Sequence, residues 1–579
     1  MKKRKKLNHE KRDWGLAKKI GLVVLFLLVI SGLSYGAVVF IRGLNEKIVE
    51  SQLNDEDWLS SNVRLVKNGS LGKNIYSVSK PVAVEVFDMV YQDVIQDKLD
   101  VLLEDEYSFD DPLMIYNLYG TNSLGLNLYF TTDQESEVSY TIHVDDKDIE
   151  DFSRTLSNGE EGNLTKNHAY QLIGLIAGEE NDVTLTLKDK DGKTIDTKEF
   201  TVDLSDVAVN GEKKLEVTEG DSKEELTNGL YTMLGNDSDG QDYLALYDND
   251  GILRMKTEII GYRAHRILFR NGKMYYSVSQ TRIAEVNPLG QVTEIYRTGH
   301  YQLHHDYVFD DDGNLIVLAN NTEKDTEEDC IIKIDLDTKA VTEVIDFEDM
   351  FSSYVKTCKV DDSNFRDEGE DGLDWLHLNS IVWLEGGDVL LSSRETSSIL
   401  RVNNIEEDPE IVYILSDKKI WEDTEFSKYV YDKKGDFKIQ AGQHSLNYEG
   451  TSTDGVYYIT FFDNNYGKSN SQPDFDYSEI GIENQKPFEG TESYYYVYRV
   501  DENQKTFELV DSFDVPYSGI VSSVQPMSNG NVIVDSGTAG IFGEYDEDHN
   551  LIGQFKAKLN KYMVYRVFKY TFNDFWFEG

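Results

Sequence analysis

From about residue 227 to the C-terminus one unit recurs: a short run rich in Tyr, Val and Ile, a turn carrying Gly, a second such run, and a further hairpin. The turn glycines are Gly272 (RNGKMYYSV), Gly313 (DDGNLIVLA), Gly387 (EGGDVLLSS), Gly455 (TDGVYYITF) and Gly530 (SNGNVIVDS), spaced by 41, 74, 68 and 75 residues. Self-similarity at this interval fits blades of roughly 40–50 residues with insertions. A further copy fits Leu230 to Met255, which makes six units, and strand-like material from Tyr562 to Phe575 is left to close a ring against the first. A closed propeller hides its strand edges without a partner chain. An array of β-sandwiches supplies similar strands but not the repeated turn, so the propeller is the better reading of 227–579.

Ahead of the repeat, residues 107–205 alternate with period two. Leu124, Leu126, Leu128 and Phe130 form one apolar face, and Val138, Tyr140, Ile142 and Val144 another. Val183–Leu187 and Ile195–Val202 flank a turn containing Asp191-Gly192. Several short strands within about 100 residues read as a small β-sandwich. The polar stretch 206–226 reads as a linker. Residues 42–106 read as a polar stalk with one short amphipathic helix on the i, i+3, i+4, i+7 stripe Phe87, Val90, Tyr91 and Val94.

The N-terminus sets topology. Residues 1–19 carry nine Lys and Arg against Glu10 and Asp13, and Ile20–Ile41 then run for 22 residues without a charge. A run of that length spans a bilayer core, and the basic flank stays cytoplasmic. The run is longer than a signal-peptide core, and no small-x-small cleavage site follows it clearly. A retained single-pass signal-anchor is therefore favoured over a cleaved signal peptide. Either reading puts the bulk of the chain outside the cytoplasm. The expected fold is thus all-β: a six-bladed propeller preceded by a small β-sandwich and an N-terminal transmembrane helix.

Beyond the basic tail, 48 basic residues face 104 acidic ones. That balance excludes nucleic acid and anionic lipid as partners of the exported part. The acidic loop Asp310-Asp311-Asp312 lacks EF-hand spacing. Cys330 and Cys358 are the two cysteines, and their spacing suits a disulfide as well as two free thiols. Whether the chain pairs into a homodimer is left open.

Six of the ten histidines fall between 265 and 444: His265, His300, His304, His305, His377 and His444. His265, His305, His377 and His444 precede a turn glycine by 7, 8, 10 and 11 positions, and Asn379 precedes its glycine by 8. These positions begin the first, innermost strand of a blade, so different blades offer His to one mouth of the central channel. His305, His377 and Asn379 share parity relative to the turn, and a bulge would upset that alignment. A lone His in a β protein is usually a hydrogen-bonded structural residue; three at one rim weaken that account. A metal site is a second reading. It is disfavoured because no carboxylate stands at a matching strand position and no HExxH or CxxC occurs. P-loop, dinucleotide-binding and GxSxG signatures are absent, whereas a glycosidase carboxylate pair is not excluded among 106 acidic residues.

Four segments, in order on separate blades, then carry a resemblance: His304-His305-Asp306 ahead of DDGNLIVLAN, Asp374–Ser380 (DWLHLNS), Ser392–Ile399 (SSRETSSI) and Gly442-Gln443-His444. Together with residues 111–132 and the His168, Gly174-Leu175 and Asn181 positions of the sandwich, they resemble the bacterial aryl-sulfate sulfotransferases from about residue 110 to the C-terminus. The resemblance implies transfer of a sulfuryl group from a phenyl sulfate to a phenol through a sulfohistidine, without a nucleotide sulfate donor, cofactor or metal. By motif position His444 is the nucleophile. His377, Asn379 and Arg394 match residues that hold the sulfuryl oxygens, and the His304-His305 pair matches a further active-site histidine, with parity favouring His305. The anchor departs from a family that is often soluble and periplasmic. The Tyr-rich segment 457–498 either lines the mouth or packs. A propeller that binds a ligand or partner without chemistry is the alternative function.

Overall fold

The computed structural model describes residues 55–579, apart from 158, 160–162, 209–210, 238–241, 262, 360–371 and 454. The basic tail and the apolar run 20–41 lie outside the described residues. Among those described, no helix is long and apolar enough to cross a membrane.

Six sheets form the propeller arrangement, each with four antiparallel strands; blade 5 gains a short parallel strand, Asp432–Lys433, and blade 6 a fifth strand. In blades 2 to 5 the inner strands are Ile267–Arg270, Tyr301–Phe309, Leu378–Leu384 and His444–Thr453, and in blade 6 the inner strand is Ser523–Pro526. Gly272, Gly313, Gly387, Gly455 and Gly530 sit in the hairpin after each inner strand, all at positive φ. Those turns need a left-handed residue, which is why the repeat is written in glycine.

Both chain ends close the ring. Val567–Tyr570 is the inner strand of blade 1, paired with Leu230–Met233. Glu216–Glu219, inside the stretch read as a linker, adds a fifth strand to blade 6 by pairing with Leu551–Lys556. Hydrogen bonds then stitch the inner strands together around the channel. Tyr570 hydroxyl donates to Ile267 O (3.3 Å) and Arg266 to Asp306 (2.8 and 3.1 Å). Ile381 N donates to Asp306 (3.2 Å), Leu446 N to Ser380 Oγ (2.9 Å), Val524 N to Ser445 Oγ (3.1 Å) and Val567 N to Ser523 Oγ (3.1 Å). Every blade boundary is therefore bridged by a buried polar contact whose loss would orphan its partner.

In the N-terminal domain the two alternating faces read as separate strands belong to one, Gly125–His143. Its first half pairs with Thr165–Ile173 and its second with Glu180–Lys188, the register breaking between Thr131 and Ser136. No Gly or Pro interrupts residues 131–136, so the chain bends from one sheet into the other instead of turning back. The segment read as a stalk contributes Ile75–Ser77, which pair in parallel with Met114–Tyr116. It also contributes the helix Met89–Leu102, capped by Asp88. Phe87, Tyr91 and Val94 are buried, Val90 only partly. Gln92 on this helix accepts from Val292 N of blade 2 (3.2 Å).

The two cysteines are free. Cys330 Sγ donates to Ala319 O (2.9 Å), while Cys358 lies beside Gln472. Most of the Tyr-rich segment packs: Tyr457, Tyr496 and Tyr498 belong to the core of blade 5, and only 464–492 leaves the sheet as an insertion.

Candidate active site

Three consecutive blades begin their inner strands with the same irregularity. In blade 3 the register breaks between Leu303 and Tyr307, so His304, His305 and Asp306 bulge out of the ladder. In blade 4 it breaks between Leu378 and Ser380, at Asn379. In blade 5 it breaks between His444 and Asn447. Each bulge holds or adjoins a non-glycine residue at positive φ: His305 (51°), His377 (49°) and Ser445 (58°). Such conformations cost on the order of 1–3 kcal/mol each and persist where the surroundings over-determine them. A bulge also turns side chains off the strict in–out alternation. Strand parity therefore does not decide which histidine faces inward, and it fails as the guide to the His304-His305 pair.

The result is a cluster of imidazoles centred on His305. Its ring centroid lies 5.3 Å from His304, 4.7 Å from His377, 6.3 Å from His444 and 6.2 Å from Tyr565. His304 and His305 face one another through Nδ1 at 3.1 Å, so both belong to the cluster and His305 reaches the other two. His265 stacks edge-on to Tyr565 at 5.6 Å, and His300 packs on Tyr301, away from the group.

The charge states differ sharply. Burial pushes His444 well below the ordinary imidazole range, against the pull of its bond to Asn464. His444 Nδ1 lies 2.9 Å from Gly442 O and 2.8 Å from Asn464 Oδ1. Burial and the His377 charge likewise keep His305 neutral, and burial lowers His304. His377 goes the other way. Burial and Arg394 oppose its protonation, but Asp374 and Glu328 outweigh them and push it up to about 10. His377 Nδ1 bonds Asp374 Oδ2 at 2.7 Å; Glu328 Oε2, 2.6 Å from the same nitrogen, lies off the N–H direction and acts by charge alone.

Arg394 is half-buried, held by Asp374 (3.2 Å) and by Glu395, and its Nε–H has no acceptor among the described residues. Asn379 donates through Nδ2 to Gln443 O (2.8 Å) and leaves Oδ1 without a partner, so one of its N–H groups remains for an anion.

Sequence reasoning missed four contributors. Arg566 stands just ahead of the closing strand and donates to His305 O (3.0 Å) and Asn379 O (2.6 Å), tying two bulges together. Tyr565 donates to His305 O (3.3 Å). Asn464 and Glu328 sit on loops after second strands, where the repeat alignment gives no signal. No carboxylate stands at a matching position on the inner strands, yet Glu328 (φ 54°) and Asp374 reach these histidines from outside them. His304, His305 and Glu328, and again Glu328, Asp374 and His377, place ligand atoms within 4.8 Å of one another. The Arg394 guanidinium at Asp374 and the His377 imidazolium oppose a dication at the second group.

The arrangement brings together a neutral buried imidazole, a permanent guanidinium and an imidazolium. It suits nucleophilic attack on an anionic centre whose charge must be held. The family comparisons agree with that chemistry. The model described as Arylsulfotransferase (ASST) matches residues 216–574, and that of the arylsulfotransferase Ig-like domain matches 113–205. No curated protein is a significant match. Among solved structures, a streptogramin B lyase is 12% identical, covering 60% of this chain and 88% of its own, with TM-score 0.28. A putative 6-phosphogluconolactonase from Bacteroides uniformis is 10% identical, covering 75% and 99%, with TM-score 0.32. A Bacteroides caccae protein of unknown function is 10% identical, covering 59% and 98%, with TM-score 0.34. Likeness this distant bears on neither fold detail nor activity. The two family matches, one on the propeller and one on the sandwich, carry the assignment: the chain belongs to the arylsulfotransferase family, and membership supports a general aryl sulfotransferase activity.

Proposed function

We propose that the protein moves a sulfuryl group from a phenyl sulfate to a phenol through a sulfohistidine at His444, on the outer side of a membrane to which residues 20–41 anchor it. The observation that supports this reading is the convergence of three blades on one place, the His377 and His444 rings lying 4.7 and 6.3 Å from His305, in a chain that the arylsulfotransferase model matches over 216–574.

In the first half-reaction a lone pair of His444 attacks sulfur, the S–O bond to the aryl oxygen breaks, and a phenoxide leaves. Charge on the peripheral oxygens of the loose transition state is met by Arg394 and by the remaining N–H of Asn379. A phenol ionises near pH 10, close to where His377 titrates. Proton transfer from imidazolium to phenoxide is then nearly balanced in energy, the condition under which a general acid also returns as a base. In the second half-reaction an acceptor phenol gives its proton back to His377 and takes sulfur from His444.

The full chain in detergent, given 4-nitrophenyl sulfate, should release nitrophenol only when a phenol acceptor is added, and chelator should not slow it. His444→Ala should abolish release while the unfolding midpoint is retained; undiminished release by that variant would sink the assignment of the nucleophile. The grouping of His304, His305 and Glu328 favours one competing reading, a metal-dependent sulfatase. Acceptor-independent release stopped by chelator would establish it.

A further inference from the structure

His444 can attack from only one nitrogen, and which one depends on where its hydrogen sits. Nδ1 faces two oxygens, Gly442 O at 2.9 Å and Asn464 Oδ1 at 2.8 Å. The second is an acceptor only if the Asn464 amide is oriented with its oxygen toward the ring. The surroundings impose that orientation. Asn464 Nδ2 lies 2.7 Å from Ser518 O and 3.1 Å from Val521 O, two carbonyls that can only accept. Both amide hydrogens are consumed there, and flipping the amide would set oxygen against oxygen twice.

The two carbonyls are themselves fixed. Val521 and Ser522 stand at φ 53° and 88°, a region a β-branched Val avoids. Ser493 Oγ donates to Asn464 O (3.1 Å) and accepts from Ser518 N (2.9 Å), and Ser522 Oγ donates to Ser518 Oγ (2.8 Å). The strain at Val521 aims its carbonyl at Asn464, and the serine hydroxyls hold the segment in place.

We propose that Asn464 is a positioning residue for the transfer: it keeps the hydrogen of His444 on Nδ1, so that Nε2 presents its lone pair to sulfur. This rests on His444 as the nucleophile. The tautomer is set by the hydrogen bond at the other nitrogen, as with metal-bound histidines, where removing such a partner costs about 10–100-fold. The groups that act most on the charge of His444 are His377 and Arg394 from blade 4 and Arg566 just ahead of the closing strand, with His305 of blade 3 beside the ring. Asp463, next to Asn464, accepts from Ala441 N (2.8 Å) and Asn465 N (3.1 Å) and is pushed by burial up to about 7.

The test uses the detergent-solubilised full chain. Asn464→Ala should lower kcat/KM for phenol release about 10–100-fold. Asn464→Asp keeps an acceptor toward Nδ1, while its second oxygen faces the Ser518 and Val521 carbonyls and must carry a proton there, so this variant should recover activity that Asn464→Ala loses. A merely structural role predicts that both variants lose activity in step with folded protein. Undiminished kcat/KM in folded Asn464→Ala overturns the proposal. So does a 15N histidine spectrum of the wild type that places the His444 hydrogen on Nε2, the resonance being assigned by its loss in His444→Gln. Full phenol release by His444→Gln would refute the nucleophile instead, and the spectrum would still report on the tautomer.

Discussion

At the scale of single residues, the ionisation of His377 makes the sharpest test. Asp374 and Glu328 hold its proton against burial and Arg394, up to about 10. Removing one carboxylate takes away that support, so Asp374→Asn should carry the basic limb of the phenol-release profile downward, toward neutrality. Stability should follow the same linkage with a definite sign. Below the ordinary histidine value of 6.5 the ring is protonated folded or unfolded and its contribution is complete; it is lost as pH rises from there through about 10. Urea midpoints between pH 6.5 and 10 should therefore fall for the wild type and fall less for Asp374→Asn. At this scale the sequence was informative where a motif names a residue. His304, His305, His377, Asn379, Arg394 and His444 all meet in one place. It was silent on Glu328, Asn464 and Arg566, because each reaches the site from a loop or terminus that the repeat does not align. Nor does the sequence carry any signature of the bond by which the Asn379 amide reaches the backbone of its neighbour blade at Gln443 O.

At the scale of elements, the insertion 464–492 is tied to the site at its first residue, Asn464, and again by a buried carboxylate. Glu395 pairs with Arg394 through Oε1 and accepts through Oε2 from Ser469 Oγ (2.9 Å), Asn470 N and Ser471 N (3.2 Å). The loop is carried further by Ser471 O, which accepts from Lys359 N (2.9 Å). Glu395→Gln swaps one oxygen for an amide that can only donate. Either Arg394 or the loop then meets a donor where it needs an acceptor. The expected outcome is a substrate affinity that weakens more than turnover does, with Arg394 still present: KM for 4-nitrophenyl sulfate should rise about tenfold, the effect of losing about 1.4 kcal/mol of ground-state binding. Unchanged KM and kcat would show that the loop does not depend on this anchor. The strands of the propeller were legible because apolar alternation and turn glycines are local signals. The bulges that aim the histidines were not, since a bulge is a register relation between two strands, and one strand's sequence does not contain it.

At the scale of the whole molecule, the ring is locked where its two ends meet. Lys569, on the closing strand, donates to Glu544 Oε2 of blade 6 (3.0 Å) and to Tyr231 hydroxyl of blade 1 (3.2 Å). Glu544 also accepts from Thr227 N (3.0 Å), Tyr231 hydroxyl (3.1 Å) and Asn531 Nδ2 (2.8 Å). Both charged side chains are fully buried. A buried pair of this kind adds little over apolar residues that pack as well, but breaking it leaves a charge stranded. Lys569→Met should thus cost about 3–5 kcal/mol, read as a drop in the urea midpoint. The ion pair Lys486–Glu489 is the control: it is shorter, at 2.6 Å, but its side chains are 67% and 72% exposed. Solvent screens it, so Lys486→Met should leave the midpoint unchanged. If the two variants unfold alike, closure does not rest on the Lys569–Glu544 knot and the inner-strand hydrogen bonds hold the ring alone. If only Lys569→Met is weakened, its site should suffer as well, because Arg566, three residues earlier and just ahead of the same strand, is the donor that joins the His305 and Asn379 bulges.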